Sequence, residues 1–403
     1  RVAAGDSFLP PPIIAFCKSA MDLQQYREQI DAIDDEMVKL IVSRLELAGK
    51  IAGVKQSRHL PVFNPRREHE IIIRLAKAAG SEYADYIRMI YGTLFDVSRA
   101  HQYELNAVPG RISSQIESAW RESAGVVIPH LATVACQGAE GAFSGIAAQQ
   151  CFPMPDITWV KSFRGVAQAV EGGLCDYGVL PVENSTYGTV NQVYDLMLQH
   201  RFYVVKSIRV HVSHALLAAP GASLDDITEV VSHPQALGQC ELYLSAHPKI
   251  KATPVANTAV AAQMVASSGR RDLAAIASRE CAGLYGLPVL ADGIQDNANN
   301  YTRFICITRK MTILPGANRI SLILSLPHQP GALYAVLAKF AALGLNLLKL
   351  ESRPAPGSDF EFRFCFDLAA PACTASVLRL LDELEHDLDL FTFLGWYSEQ
   401  QRQ

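Results

Sequence analysis

The run Glu183-Asn184-Ser185-Thr186 carries residue types suited to acid–base chemistry and to holding an anion: a carboxylate, a carboxamide and two hydroxyls. It follows an apolar run at 177–180 and Pro181, and precedes an apolar-periodic stretch at 190–198. That order reads as a buried strand, a turn and a helix. Open α/β sheets present ligand-binding groups at this place, beyond the carboxyl ends of strands and beside helix N-termini. The plainer reading is a helix cap, with Ser185 or Thr186 on the first turn and Glu183 in solvent.

Two further stretches have the same format. One is 232–240, with Ser232, His233 and Gln239; the other is 299–304, with Thr302-Arg303-Phe304. His233 titrates near neutrality, but its neighbour Pro234 suggests a turn role. A third set of chemical groups lies near the N-terminus at helical spacing. Residues 22–58 contain no proline, and apolar residues recur at Ile30, Ile33, Met37, Leu40, Ile41, Leu47, Ile51 and Val54. This predicts one long helix, ended by Pro61 and Pro65. Helices over about 66–79 and 83–105 follow. Such a long first helix cannot fold back into a compact monomer, and a coiled-coil arm is one reading. The charges point elsewhere. Arg44 and Lys55 share one helix face, Ser98 and Gln102 another, and Arg67-Glu68 opens the second helix. Arg27 lies roughly 25 Å along the helix from Arg44. No small metabolite spans that distance, so Arg27 would serve a site on another subunit, and an intertwined dimer follows.

Bulk properties bound the function. A length of 403 residues allows two to three domains. The chain is 49% hydrophobic, yet no apolar run approaches the ~20 residues of a membrane span. A net charge of −4 gives no basic excess for nucleic acid. Nine cysteines without a Cys-x-x-Cys pair argue against zinc ribbons and disulfide frameworks, and fit a reducing cytoplasm. His211 and His214 have metal-like spacing, but in an apolar strand pattern they would face opposite ways, so no metal is expected. No glycine-rich nucleotide or dinucleotide loop is present, so no cofactor is expected.

In chain order, residues 1–20 with Pro10-Pro11-Pro12 read as an N-terminal extension upstream of a natural start at Met21. The weak pattern of 106–130 reads as a linker, partly helical near 116–122. Strand–helix alternation occupies 131–310, with a glycine-rich turn at 137–144 that can offer backbone N–H groups to an anion. Its crossing connections imply two α/β lobes with a cleft between them. Residues 318–397 read β-α-β-β-α-β, a ferredoxin-like unit. That unit carries Gly331-Ala332-Leu333 at a helix start and Glu351-Ser352-Arg353-Pro354 at a strand end.

Taken in order, the three polar stretches resemble the catalytic domain of prephenate dehydratases. From residue 21 onward the chain is similar to the bifunctional chorismate mutase/prephenate dehydratases of phenylalanine biosynthesis. The resemblance implies an all-α chorismate mutase at 21–105, a two-lobed α/β dehydratase like periplasmic binding proteins at 131–310, and an α+β ACT regulatory domain at 318–397. For the mutase it implies Arg44, and Arg27 from a partner subunit, on the chorismate carboxylates, with Ser98 alongside and Arg67 near. Lys55 and Gln102 would meet the ether oxygen, and Glu68 and Asn64 the ring hydroxyl. Asn64 stands where the family usually has aspartate. A pericyclic rearrangement needs a held pose and complementary charge rather than a nucleophile.

For the dehydratase the resemblance ties Thr302 most closely to catalysis. A threonine is a weak acid, so it would donate a hydrogen bond or relay a proton to the departing hydroxide. Glu183 is the alternative acid if burial raises its pKa. Asn184, Ser185, Ser232, Gln239 and Arg303 would hold prephenate. Ala139 stands where the family commonly has proline. Residues 331–333 and 351–354 would bind L-phenylalanine at a domain interface, with the helix N-terminus attracting its carboxylate; a simple Glu351/Arg353 salt bridge is the alternative. The expectation is a cytoplasmic homodimer or larger homo-oligomer, without metal or cofactor. It would take chorismate to prephenate and on to phenylpyruvate under phenylalanine inhibition. The rivals are a sensor that binds without turnover, and a chain in which Asn64 leaves only the dehydratase active.

Overall fold

The computed structural model describes residues 23–58, 60, 62–105, 110–123, 129–354, 362–371 and 373–400. The expected extension at 1–20, Met21, Pro61 and most of the connecting residues around 106–109 and 124–128 lie outside them. The chain divides into two compact units, 1–108 and 109–403.

The first unit is helical: α1 (Leu23–Ser57), α2 (Pro65–Ala79) and α3 (Ala84–Leu105). Proline at the first position of α2 costs no hydrogen bond there, and Asn64 caps the helix by accepting from the Arg67 N–H at 3.0 Å. Helix α3 packs on both others. The 35 residues of α1 extend about 52 Å, and its buried residues are Ala48 and Ala52, both in the C-terminal half. The other half exposes Leu23, Tyr26, Ile30, Ile33, Met37 and Leu40.

The second unit begins with α4 (Arg111–Glu122). Its α/β part then runs β1 (Leu131–Gln137), α5 (Phe143–Cys151), β2 (Met154–Val160), α6 (Phe163–Glu171), β3 (Tyr177–Asn184), β4 (Gly188–Thr189), α7 (Asn191–Gln199), β5 (Tyr203–His211) and β6 (Ala215–Ala218). It continues through β7 (Glu229–Ser232), α8 (Pro234–Gln239), α9 (Glu241–Ser245), β8 (Lys251–Pro254), α10 (Thr258–Ser268), β9 (Leu273–Ala277), α11 (Glu280–Tyr285), β10 (Val289–Ala291) and β11 (Tyr301–Thr308). The C-terminal part is β12 (Arg319–Ser325), α12 (Ala332–Ala342), β13 (Asn346–Pro354), β14 (Phe362–Ala369), α13 (Ala375–Asp387) and β15 (Phe391–Gln400).

Two sheets organise these elements. The smaller has the order β10-β6-β9-β7-β8. Its central strands β6 and β9 are wholly buried, as expected of strands covered on both faces. The larger runs β13-β14-β12-β15-β5-β11-β3-β1-β2, with β4 beside β3. The chain leaves the larger sheet after β5 and returns at β11. These two crossings produce the two lobes. The C-terminal strands follow the ferredoxin-like order and join the larger sheet where β15 pairs with β5. Gly395 allows the join: at φ +152°, a Cβ there would meet the Val204 carbonyl oxygen at 2.3 Å. One core crosses the join. Val193, Tyr194 and Met197 of α7 pack with Ile305 of β11, Ile323 of β12, Cys365 of β14 and Leu394 of β15.

The helix expected near 116–122 is present but starts at Arg111, and the linker reading of the other described residues of 106–130 is corrected there. Helix α4 buries Ile112, Ile116 and Ala119 in the core of the C-terminal part. The Asp382 carboxylate of α13 caps it, accepting from the Gly110 and Ser113 N–H groups at 3.0 Å each. Gly110 is there because a side chain would collide with that carboxylate at 2.3 Å. Ile116→Ala should therefore destabilise the second unit by about 2–4 kcal/mol, read as a lowered denaturant midpoint. An unchanged midpoint would return α4 to the status of a connector.

Candidate active site

A cleft of about 670 Å³ lies between the two lobes. Thr302, Asn184, Gln239, His214, His233 and Asn257 all contribute to its lining. At its centre is a hydrogen-bonded pair on neighbouring strands. Asn184 donates its amide N–H groups to Asn300 Oδ1 and to Thr302 Oγ1, both at 2.9 Å. Its Oδ1 accepts from the backbone N–H groups of Thr186 and Tyr187, also at 2.9 Å. Because Thr302 Oγ1 accepts from Asn184, the threonine keeps its own proton for donation into the cleft. His214 Nε2 donates to Gln239 Oε1 at 2.7 Å. That leaves His214 Nδ1 as a buried acceptor with no partner among the described residues. His233 caps α8, its Nδ1 accepting from the Gln235 N–H at 3.2 Å.

The starts of four helices of nine residues or more line the same cleft: α5 through Ala142 to Ser144, α6 through Ser162, α7 through Val190 to Gln192, and α10 through Asn257 and Thr258. Ser162 and Asn257 cap α6 and α10, whereas no side chain caps α5 or α7. Helix N-termini carry partial positive charge and free N–H groups, so this cleft is set up for an anion. Lys161 stands among its lining residues as well.

Four expected site residues lie elsewhere. Glu183 and Arg303 face away from the cleft, paired at 3.3 Å. Arg303 is buried and also pairs with Asp367 of β14 at 2.7 Å, while Glu183 pairs with Lys349 of β13 at 3.4 Å. The cause is strand alternation: Thr302 is opposite Asn184 and Arg303 opposite Glu183, so the two pairs point to opposite faces. Glu183 as the buried acid is corrected accordingly; its side chain is 40% exposed and flanked by two cations. Ser232 is buried and donates to the Ile276 carbonyl at 2.6 Å. Ser185 donates to the Asn299 carbonyl and accepts from the Tyr301 N–H, each at 2.9 Å, and so pins the start of β11.

In the helical unit, Arg44 donates to Ser98 Oγ and lies over the Phe95 ring at 5.2 Å. Gln102 is buried, and its Nε2 donates to the Ser98 carbonyl at 3.3 Å. Burial lowers the Lys55 pKa, and Glu68 pulls it back up. Ser98 thus lies between Arg44 and Gln102, while the Lys55 ammonium donates to the Val62 carbonyl at 2.5 Å and feels the Glu68 charge. Glu68 also accepts from Arg99 at 2.5 and 2.6 Å. Asn64 spends one lone pair of its oxygen on the cap of α2, leaving the other and its amide N–H groups for a ligand. Arg67 is exposed beside Glu70 at 3.7 Å, and Arg27 sits on the exposed half of α1.

Residues 134–312 match the prephenate dehydratase family, and residues 26–103 match type II chorismate mutase. A bifunctional chorismate mutase/prephenate dehydratase of Aquifex aeolicus is 31% identical over 94% of this chain and 98% of its own. The chain belongs to the bifunctional chorismate mutase/prephenate dehydratases. An arogenate dehydratase/prephenate dehydratase of Arabidopsis thaliana is 38% identical over 66% of this chain and 71% of its own. The structure of a prephenate dehydratase from Arthrobacter aurescens in complex with L-Phe superposes with a TM-score of 0.60 at 29% identity, covering 66% of this chain and 90% of that one.

As a chorismate mutase/prephenate dehydratase, the chain holds groups that sequence reasoning missed. Arg99 follows Phe95 by four residues and precedes Gln102 by three, on one face of α3, so helical spacing was a usable signal. His214 gave none: the strand pattern read through 208–217, whereas the chain leaves β5 at His211 and resumes at Ala215. Burial holds the His214 imidazole below its ordinary 6.5, with the Gln239 hydrogen bond opposing, and burial lowers His233 too. A histidine whose pKa falls on folding stabilises fully above its unfolded value, and that contribution is lost as pH drops through and below about 6.5. His214→Gln should therefore flatten the acid-side loss of stability. The gap between the unfolding midpoints of the two proteins, followed from about pH 7.5 to 5, should be constant above about pH 6.5 and shift against the parent as pH falls below it.

Proposed function

We propose that this polypeptide converts chorismate to prephenate in its helical unit and prephenate to phenylpyruvate in the inter-lobe cleft, with L-phenylalanine as feedback inhibitor. The observation that carries the reading is the Thr302–Asn184 pair in a cleft lined by four helix N-termini. Prephenate has two carboxylates and a hydroxyl that must leave. The helix starts supply fixed partial positive charge for the carboxylates. As the ring carboxylate departs as carbon dioxide, its bonding electrons enter the ring and the ring C–O bond breaks. Thr302 relays a proton to that oxygen, giving its hydroxyl proton and regaining one from water in the cleft, so hydroxide leaves as water and the threonine hydroxyl is restored. The hydrogen bond from Asn184 polarises the Thr302 hydroxyl and orients it.

The mutase reading rests on Arg44 held by Ser98, with Lys55, Glu68 and Gln102 supplying charge and hydrogen bonds about the breaking ether. Arg27 would come from a second copy, whose helices would cover the apolar stripe on α1. That makes the protein a homodimer or larger assembly. The effector would bind through Gly331, Ala332, Leu333 and the strand end Glu351, Ser352, Arg353 and Pro354. Gly331 starts α12 at φ +86°. Glu351 accepts from Thr189 at 2.8 Å, and Arg353 pairs with Asp195 at 3.3 Å, so the strand end already engages the dehydratase domain. Eight cysteines among the described residues are free, which suits a cytoplasmic protein.

Chorismate supplied alone should yield phenylpyruvate, and L-phenylalanine should suppress it. Thr302→Val should lower dehydratase kcat by about 100-fold or more, with mutase activity unchanged; equal dehydratase rates would remove Thr302 from the chemistry. Binding of prephenate without turnover in the parent protein would favour the sensor. A shared mutase site has its own signature. Arg27→Ala and Arg44→Ala should each be inactive as mutases, and co-refolding them should restore about a quarter of parental activity through hybrid dimers. No restoration would confine each site to one chain.

A further inference from the structure

The catalytic strand pair has a back face, and the ferredoxin-like unit holds it. Directly behind Thr302 and Asn184, their chain neighbours Arg303 and Glu183 pair with each other at 3.3 Å. Asp367 on β14 pairs with Arg303 at 2.7 Å. Lys349 on β13 reaches Glu183 at 3.4 Å and donates to Thr189 at 3.0 Å. Thr189 lies opposite Glu183 on β4. Asp367 is itself fixed from behind, accepting from Ser321 Oγ at 2.5 Å. Arg303 and Asp367 are only 6% and 7% exposed, so the charges meet in a low-dielectric setting where a missing partner is costly.

We propose that Asp367 and Lys349 are positioning residues for the dehydration step: they set the β3–β11 pair from behind and thereby hold Thr302 and Asn184 in their hydrogen bond across the cleft face. Neither residue reaches the cleft, so neither touches substrate. A strand is stiff across its pleat, so a shift of Arg303 moves Thr302 with it, and misplacement of a catalytic donor by about 1 Å can cost 100-fold. Lys349 stands on the same face of β13 as Glu351 and Arg353. An effector that draws on that strand end would therefore act on the same grip. This extension rests on the effector site proposed above.

The test uses the full-length chain, with mutase turnover as the reference for the first unit and the denaturant midpoint of the second unit as the reference for folded dehydratase. Asp367→Asn removes the charge and keeps the shape, and Lys349→Met keeps the stem. Each should lower dehydratase kcat at least tenfold with KM within about twofold, the pattern of an interaction expressed in the transition state. Mutase turnover should stay at the parental rate. The double variant should fall short of the product of the single losses, because both act on one strand pair. Lys349→Arg should recover most of the loss. Parental kcat in both folded variants, or a raised KM at unchanged kcat, would overturn the proposal. If Asp367→Asn fails to accumulate, Lys349→Met and its arginine rescue carry the test, since Glu183, its partner, is partly exposed. Thr302→Val is measured beside them. A normal loss there with intact positioning variants sinks the grip alone, whereas no loss there sinks the site reading and the grip together.

Discussion

The dehydratase domain depends on the pairing register of β3 and β11. Side chains opposite each other in an antiparallel pair share a face, and their neighbours take the other. With Thr302 opposite Asn184, the hydroxyl and carboxamide meet in the cleft, and the charges of Arg303 and Glu183 meet behind it. A slip by one residue would put a guanidinium in the cleft and a hydroxyl against Asp367. Several features hold the register. β11 is paired on both sides, with β3 and with β5. Ser185 binds the chain on either side of Asn300, through the Asn299 carbonyl and the Tyr301 N–H. The ion pairs of the back face fit one alignment only.

The two faces use charge differently. The back face is ionic and largely buried at its centre: Arg303 with Asp367, and beyond it Arg319 and the half-exposed Arg209 with the Glu399 carboxylate. The cleft face is polar, and its positive character comes largely from helix starts. Fixed dipoles do not change their alignment when the substrate's charge moves during reaction. A buried arginine in their place would need a standing counter-ion, and that counter-ion would compete with the substrate carboxylate. The structure gives Arg303 such a counter-ion, and gives it on the side away from the substrate.

What could be read in the sequence follows from this geometry. The polar stretches at 183–186, 232–240 and 299–304 do gather at one place, and Thr302, Asn184 and Gln239 line the cleft. Glu183, Ser185, Ser232 and Arg303 do not, because a motif is read as a block while a strand deals its residues to alternate faces. Ser232 immediately precedes the α8 cap His233 and is absorbed by the Ile276 carbonyl of the adjacent strand. Pro109-Gly110 and the serines after it look like a connector. The reason for that glycine is the Asp382 carboxylate, some 270 residues away in sequence, and no local pattern reveals it. The long first helix and the β-α-β-β-α-β order were legible because sustained periodicity is a local property. Convergence of helix starts on one cleft was not, since it depends on how the lobes close.

The C-terminal part is built into the dehydratase rather than appended to it. It extends the same sheet through β15 and β5, shares a core with α7, and receives α4 from the opposite end of the unit. Domains joined through small polar interfaces move freely, but a shared sheet and apolar core remove that freedom. A signal from this part cannot then travel as a loose swing of one body against another. It must pass through contacts with two discrete arrangements. The ion pairs behind Thr302 are suited to that, because a buried pair is either made or broken, with little stability in between. The continuous sheet holds the reacting groups in place, and the few charges that cross it give the C-terminal part its purchase on them.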